Sequence, residues 1–239
     1  MLRVASSLPR SLPLPRAVRR ILAELVIADR ERRGSDFVHV DRWPERIAGF
    51  EDLAFLFTSS ILGHGIASLR FDEAAYIYRL VHELQPETAV EIGRFRGGST
   101  FLIAAALGNG VLHSYDLPIR QGRPGAQLDE QLVAALDRFR LSERVRLHVM
   151  DSRSAEPPEA PIDLLFIDGD HREEGVRADL ERWGPLLSHG GQLLLHDALA
   201  APDFVRPDSP GPARVAAQLG ADYRRHPGAG SLAHFERRM

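Results

Sequence analysis

Five short apolar runs recur through the second part of the chain, and all five carry an acid at or near their C-terminal end. They read "TAVEIG" (88–93), "GVLHSYD" (110–116), "RVRLHVMD" (144–151), "IDLLFID" (162–168) and "GGQLLLHD" (190–197). Between them lie segments with helical spacing: "GSTFLIAAALG" (98–108), 126–139 and 172–186. Strands that alternate with helices imply a mostly parallel sheet covered on both faces. The end, "ADYRRHPGAGSLAHFERR" (221–238), reads as two strands around a Pro-Gly/Gly turn. Upstream, Val18, Ile21, Leu22, Leu25 and Val26 predict an amphipathic helix over 16–33, ended by Gly34. "FEDLAFLF" (50–57) predicts a short helix. Asp72 is the expected cap of the next one, whose Ile77, Leu80, Val81 and Leu84 share a face before Pro86 stops it. At 239 residues the chain suits one α/β domain with an appendage or two small domains.

Composition excludes several chemistries. There is no cysteine, so disulfides, iron–sulfur clusters and thiol catalysis are out. All 30 basic residues are arginine, so no lysine is present as Schiff-base former, P-loop cation or base. A net charge of -3 gives no overall case for nucleic acid. No apolar run reaches the roughly 18 residues of a membrane span. Pro9, Pro13 and Pro15 break the apolar run that a secretory signal needs. A cytoplasmic protein with a mobile N-terminal arm is the expectation.

In open α/β sheets, ligands bind beyond the carboxyl ends of the strands. The first strand and turn read "VEIGRFRGGST". Gly93 and Gly97 let the backbone turn tightly and approach a ligand. Glu91 repels a diphosphate but suits an ammonium or sulfonium-bearing amino acid. Phe95 stands where a G-x-G-x-x-G loop has its middle glycine, which counts against NAD. Arg94, Ser99 and Thr100 complete this candidate cofactor set. Asp116 is placed to accept from ribose hydroxyls, as acids also do in NAD proteins, and Asp151 with Ser152 from an adenine amino group. Alone, each acid is as well explained as a helix cap or turn residue. Glu91, Asp116, Asp151 and Asp168 together favour one shared site.

"VEIGRFRGGST" resembles the S-adenosylmethionine loop of catechol- and caffeoyl-CoA-type O-methyltransferases, where an aromatic residue replaces the middle glycine. "FIDGDHREEGVRADLERWGPLLSHGGQLLLHD" is similar to the family of macrocin-type sugar O-methyltransferases. The resemblance covers about residues 72–220 and implies a Rossmann-like class I methyltransferase fold. Its sheet would have seven strands, mostly parallel, with a terminal antiparallel hairpin. It implies S-adenosyl-L-methionine as cofactor, with Asp168 also near it, and leaves the acceptor open. Residues 1–70 match nothing nameable and would be a helical extension serving as lid, dimer arm or acceptor-binding segment. Residues 71–239 would be the catalytic domain, and the protein a homo-oligomer.

Adjacent strands lie about 4.8 Å apart, so Asp168 and Asp197 at equivalent strand ends would share one metal ion. His196 is a third candidate ligand, although neighbours on a strand face opposite sides unless the strand has ended. Carboxylates and waters suit Mg²⁺; an added imidazole shifts preference toward Mn²⁺, Fe²⁺ or Zn²⁺. In catechol-type enzymes a lysine sits three residues after the metal aspartate; His171 holds that position here and is the first candidate base by resemblance. Asp170 is the second. Glu173, Glu174, Arg177, Asp179 and Glu181 read as a solvated helix face, and His113, Tyr115, His148 and Trp183 as packing. "APDFVRPDSPGPARVAAQL" (201–219) reads as a loop or lid and then a helix from about Pro212, with Arg214 facing inward by resemblance. Loop 118–126 is a further possible rim. The function that follows is O-methylation, with a divalent metal, of a small natural-product hydroxyl on a sugar, phenol or polyketide. A metal-independent N- or O-methyltransferase, a nicotinamide oxidoreductase and a non-catalytic cofactor-binding subunit are the alternatives.

Overall fold

A computed structural model describes residues 44–57, 66–120, 123–199 and 210–238. The helix expected over 16–33 and most of the expected loop after residue 200 lie outside the described residues. A 3₁₀ helix, Phe50–Leu56, leads to α1 (Phe71–Leu84). Then follow β1 (Thr88–Ile92), α2 (Gly98–Ala106) and β2 (Val111–Asp116). A two-stranded ribbon, β3 (Ile119–Arg120) and β4 (Arg123–Pro124), precedes α3 (Gly125–Arg138) and β5 (Val145–Val149). The chain continues through β6 (Ile162–Ile167), α4 (Glu173–Trp183), β7 (Leu187–Leu195), α5 (Gly211–Gln218), β8 (Tyr223–Ala229) and β9 (Leu232–Arg237).

Seven strands form one sheet in the order β5-β2-β1-β6-β7-β9-β8. The first five are parallel, and β9 and β8 close the edge as an antiparallel hairpin. This is the class I methyltransferase arrangement that the resemblance implied. Strand alternation divides the apolar residues between two layers. Ala89, Leu112, Leu164 and Leu194 meet α1, α2 and α3 on one face. Val90, Ile92, Leu165, Leu193 and Leu195 meet α4 and α5 on the other, around a fully buried Trp183. Leu53 and Leu56 of the 3₁₀ helix belong to the first layer. Helix α1 begins one residue before the expected cap: Arg70 is its N-cap, and the Glu73 carboxylate accepts the Arg70 amide at 2.8 Å. Asp72 lies inside the first turn and bonds the Arg70 side chain instead.

Register decides what meets at the carboxyl edge. Ile92 pairs with both Tyr115 and Ile167, and Ile167 with Leu195. The next residues, Gly93, Asp116, Asp168 and His196, therefore form a row across four strand ends. Asp168 stands level with His196, one residue earlier than the Asp197 that equal run lengths suggested. The row is held tightly at Gly93, whose φ is 89° and where a Cβ would sit 2.4 Å from the Asp168 carbonyl oxygen. Gly93→Ala is therefore expected to cost ~2 kcal/mol or more, from left-handed strain and displacement of the β6 end. Urea unfolding measures this, and an unchanged midpoint would show that the close approach is not required.

Candidate functional site

The row of strand ends opens into a cavity of about 580 Å³, a size that suits a small cofactor or substrate. One end is built by the turn after β1. Gly93, Phe95 and Gly97 have φ of 89°, 47° and 84°, so the aromatic residue adopts the left-handed backbone of the glycine it replaces. Asp116 steadies it: Oδ2 accepts the Arg94 and Phe95 amides at 3.0 and 2.7 Å, and Oδ1 accepts the Leu117 amide. Asp116 lines the cavity while bracing the loop. The Arg94 guanidinium turns into the protein, paired with Asp129 through two bonds and donating to the Ser114 and His148 carbonyls. Its backbone, not its charge, belongs to the loop.

Of the residues expected around a cofactor, Gly93, Arg94, Phe95, Ser99, Asp116, Asp151, Ser152 and Asp168 line the cavity; Glu91, Gly97 and Thr100 do not. Glu91 is the instructive correction. Period-two alternation turns it to the α2 face of β1, where it is fully buried and accepts the Thr100 and Ser114 hydroxyls at 2.5 and 2.6 Å. Burial pushes its carboxyl up. Gly97 serves packing, since a Cβ there would meet Leu132 at 2.5 Å.

At the other end of this part, Asp151 is pinned by Arg153, whose hydrogen bonds draw its carboxyl down to about 2. Ser152 donates to Asp179 Oδ1 at 2.6 Å. Asp179 was expected on a wet helix face, but it is only 3 % exposed and lines the cavity. Gly175, Asp179 and Trp183 follow one another at four-residue spacing on the buried stripe of α4. Burial lifts the Asp179 carboxyl to about 6, against the opposing bond from Ser152. Leu117, Ile119 and Met150, all half-exposed, add an apolar lip.

The catalytic candidates meet beyond β6 and β7. Strand β7 ends at Leu195, so His196 and Asp197 are free of strand alternation, and Asp197 takes φ 52°. Asp168 Oδ1 lies 2.8 Å from His196 Nδ1 and 3.2 Å from His171 Nε2. His171 Nδ1 lies 3.4 Å from Asp197 Oδ2, and Asp197 Oδ1 accepts the Ser231 hydroxyl at 2.9 Å. Burial opposes charge on Asp168, but the two histidines hold its carboxyl well below the usual range. Burial likewise opposes the His196 cation, and Asp168 and Glu73 hold that imidazole well above its ordinary value. Asp170 turns both oxygens to Arg172, whose hydrogen bonds lower its pKa and its worth as a base.

Asp168, His171 and His196 each offer one ligand atom, and these atoms lie within 4.8 Å of one another. Neighbouring ligands of an ion with bonds near 2.1 Å stand about 3 Å apart, so the two Asp168 distances fit a divalent cation. Asp197 flanks this set through His171. Arg214, expected to face inward, is exposed and pairs with Glu173 at 3.2 Å because α5 packs on α4. The sequence reading also missed Tyr115 as a wall of the cavity. Among the described residues, no helix is long and apolar enough to cross a membrane.

A family model described as a methyltransferase domain matches residues 90–198, from β1 to just past β7. Protein y4gI of Sinorhizobium fredii (strain NBRC 101917 / NGR234) is 28% identical over 125 residues, 49% of this chain, and the match spans 14% of that protein's length. The fold is similar to the cofactor-bound Rv0187 from MTB, with TM-score 0.56 and 17% identity over 95% of this chain and 99% of that one. It is also similar to the O-methyltransferase TomG from Streptomyces achromogenes, solved with SAM, with TM-score 0.51 and 20% identity over 68% and 78% of the two chains. An O-methyltransferase from Bacillus cereus in complex with SAH gives 0.52 and 15% over 96% and 94%.

Asp179 carries a pH signature. Its carboxyl titrates near 3.8 when unfolded and near 6 when folded. The folded state holds the extra proton between those values, so this group's contribution to stability falls as pH rises from 4 to 6. Asp179→Asn keeps an acceptor for Ser152 and should gain ~2–3 kcal/mol on the wild type between pH 4 and pH 7. Urea unfolding at pH 4, 5 and 7 checks this, and a gap independent of pH would contradict it.

Proposed function

We propose that this chain, whose residues 90–198 match a methyltransferase domain, uses S-adenosylmethionine to methylate a hydroxyl oxygen of a small natural-product acceptor beside a divalent cation. One observation carries the reading: His171 stands at the cavity wall, held between Asp168 and Asp197, where an acceptor proton has to go. The names of TomG and the Bacillus cereus protein as O-methyltransferases support the choice of oxygen. A sugar, phenol or polyketide hydroxyl is the acceptor class we favour.

The cavity has the parts for the cofactor. The turn from Gly93 to Gly97 would receive its amino-acid end, Asp116 its ribose, and Ser152 and Asp179 the amino group of its base under Leu117, Ile119 and Met150. Phe95 stands where a dinucleotide-binding loop has its middle glycine, which speaks against a pyrophosphate here. When bound, S-adenosylmethionine supplies a methyl group on a sulfonium. Asp168 and His196 are the residues that would hold the cation, which when bound makes a hydroxyl more acidic and fixes its position. His171 takes the acceptor proton, with the Asp197 carboxylate 3.4 Å from its Nδ1 to favour the charged ring. Asp168, by sharing Oδ1 between His171 and His196, keeps base and cation site in register.

One observation favours a metal-independent version. Both ring nitrogens of His196 lie within hydrogen-bond distance of carboxylates, Asp168 and Glu73, so the cluster can also close on itself with a proton.

EDTA separates the two versions: turnover with the cation reading is abolished by chelation and restored by Mg²⁺ or Mn²⁺. Unaffected turnover would remove the cation and leave His171. His171→Ala is expected to lower kcat roughly 10²–10⁴-fold with cofactor and cation affinities retained. A parallel loss of cation affinity would make His171 a ligand instead. S-adenosylhomocysteine, and not NAD, should raise the melting temperature; the reverse would contradict the cofactor.

A further inference from the structure

Glu73 lies on α1, outside the matched region 90–198, and is 1 % exposed. A buried carboxylate needs donors on both oxygens. Glu73 has them. Oε1 accepts the Ser231 amide at 2.6 Å and the Ser231 hydroxyl at 2.8 Å. Oε2 accepts the Arg70 amide at 2.8 Å and lies 3.2 Å from His196 Nε2. Backbone amides only donate, so each oxygen is committed as an acceptor by at least one fixed N–H. His196 Nε2 must then present its hydrogen to Oε2. The opposite ring nitrogen, Nδ1, faces Asp168 Oδ1 at 2.8 Å.

Resting on the cation reading given above, we propose that Glu73 is a positioning residue: it fixes His196 with the hydrogen on Nε2, so that Nδ1 turns its lone pair to a divalent cation beside Asp168. A carboxylate behind a ligating imidazole sets its tautomer and orientation and raises its basicity. Ser231 extends the device, because its single hydroxyl lies within hydrogen-bond distance of both Glu73 and Asp197. Helix α1 and the turn between β8 and β9 thus brace both residues that follow β7. The fit is close: at Gly230, φ 54°, a Cβ would meet Glu73 Oε1 at 2.5 Å. No such link was legible in the sequence, where Glu73 and His196 are 123 residues apart.

Glu73→Gln keeps shape and removes the second acceptor. Its NH₂ group must face either the Ser231 donors or the Arg70 amide and His196. Facing His196, it donates to Nε2 and drives the hydrogen to Nδ1; facing Ser231, it meets two donors there and pushes the side chain out of place against His196. We expect Mn²⁺ affinity, titrated by electron paramagnetic resonance, to fall about 10–100-fold. The affinity for S-adenosylhomocysteine should stay at the wild-type value, and Glu73→Asp should recover part of the loss. Equal Mn²⁺ affinity in wild type and Glu73→Gln would overturn the proposal alone. A wild type that binds no Mn²⁺ would overturn it together with the cation reading. Should the glutamine variant not fold, ¹⁵N chemical shifts of His196 in the Zn²⁺-loaded wild type decide: Nε2–H with zinc on Nδ1 supports the assignment, and the opposite tautomer refutes it.

Discussion

The site depends on how Asp168 ends β6. Its amide donates to the Ile92 carbonyl at 2.8 Å, which fixes it against the end of β1. Its own carbonyl occupies the space that a side chain at residue 93 would fill. Its carboxylate then faces His196 and His171 at hydrogen-bond distance. One residue therefore ties the glycine turn after β1, the proposed cofactor end, to the imidazoles proposed as the catalytic end. The apolar layers on either face of the sheet keep the strand ends level, which is what makes so short a set of links sufficient.

Charge in this site is managed by pairing. With no lysine in the chain, cationic partners are arginines and histidines. Arg94 is spent inside on Asp129, while Arg153 and Arg172 each bind an aspartate two residues earlier at the mouth of the cavity. These pairs mute Asp151 and Asp170 and leave the deeper acids prominent. Asp168 and Glu73 stay ionised because imidazole and amide donors reach them, whereas burial lifts Asp179, with a hydroxyl donor, to about 6.

Strand positions and their acids were legible because buried parallel strands leave an unambiguous apolar run, and an acid at its end has few places to go. Face was harder. Glu91 lies within such a run, and alternation about β1 puts it on the α2 side, opposite Ile92. Asp179 was misread through its charge, although the spacing Gly175, Asp179, Trp183 is that of a buried helical stripe. Register was also hidden: β7 begins before the run that marks it, and pairing of Ile167 with Leu195 sets His196, not Asp197, beside Asp168. The Glu73–Ser231 brace depends on tertiary contact alone, with no sequence spacing to betray it.

The central claim is that cofactor, acceptor and cation meet in the one cavity around Asp168. Anomalous diffraction from a crystal grown with S-adenosylhomocysteine and Mn²⁺ tests it most directly. The account predicts the nucleoside between Asp116 and Asp179 and a manganese peak within bonding distance of Asp168 and His196 Nδ1. S-adenosylhomocysteine seated elsewhere, or a cavity that stays empty at saturating ligand, would contradict it.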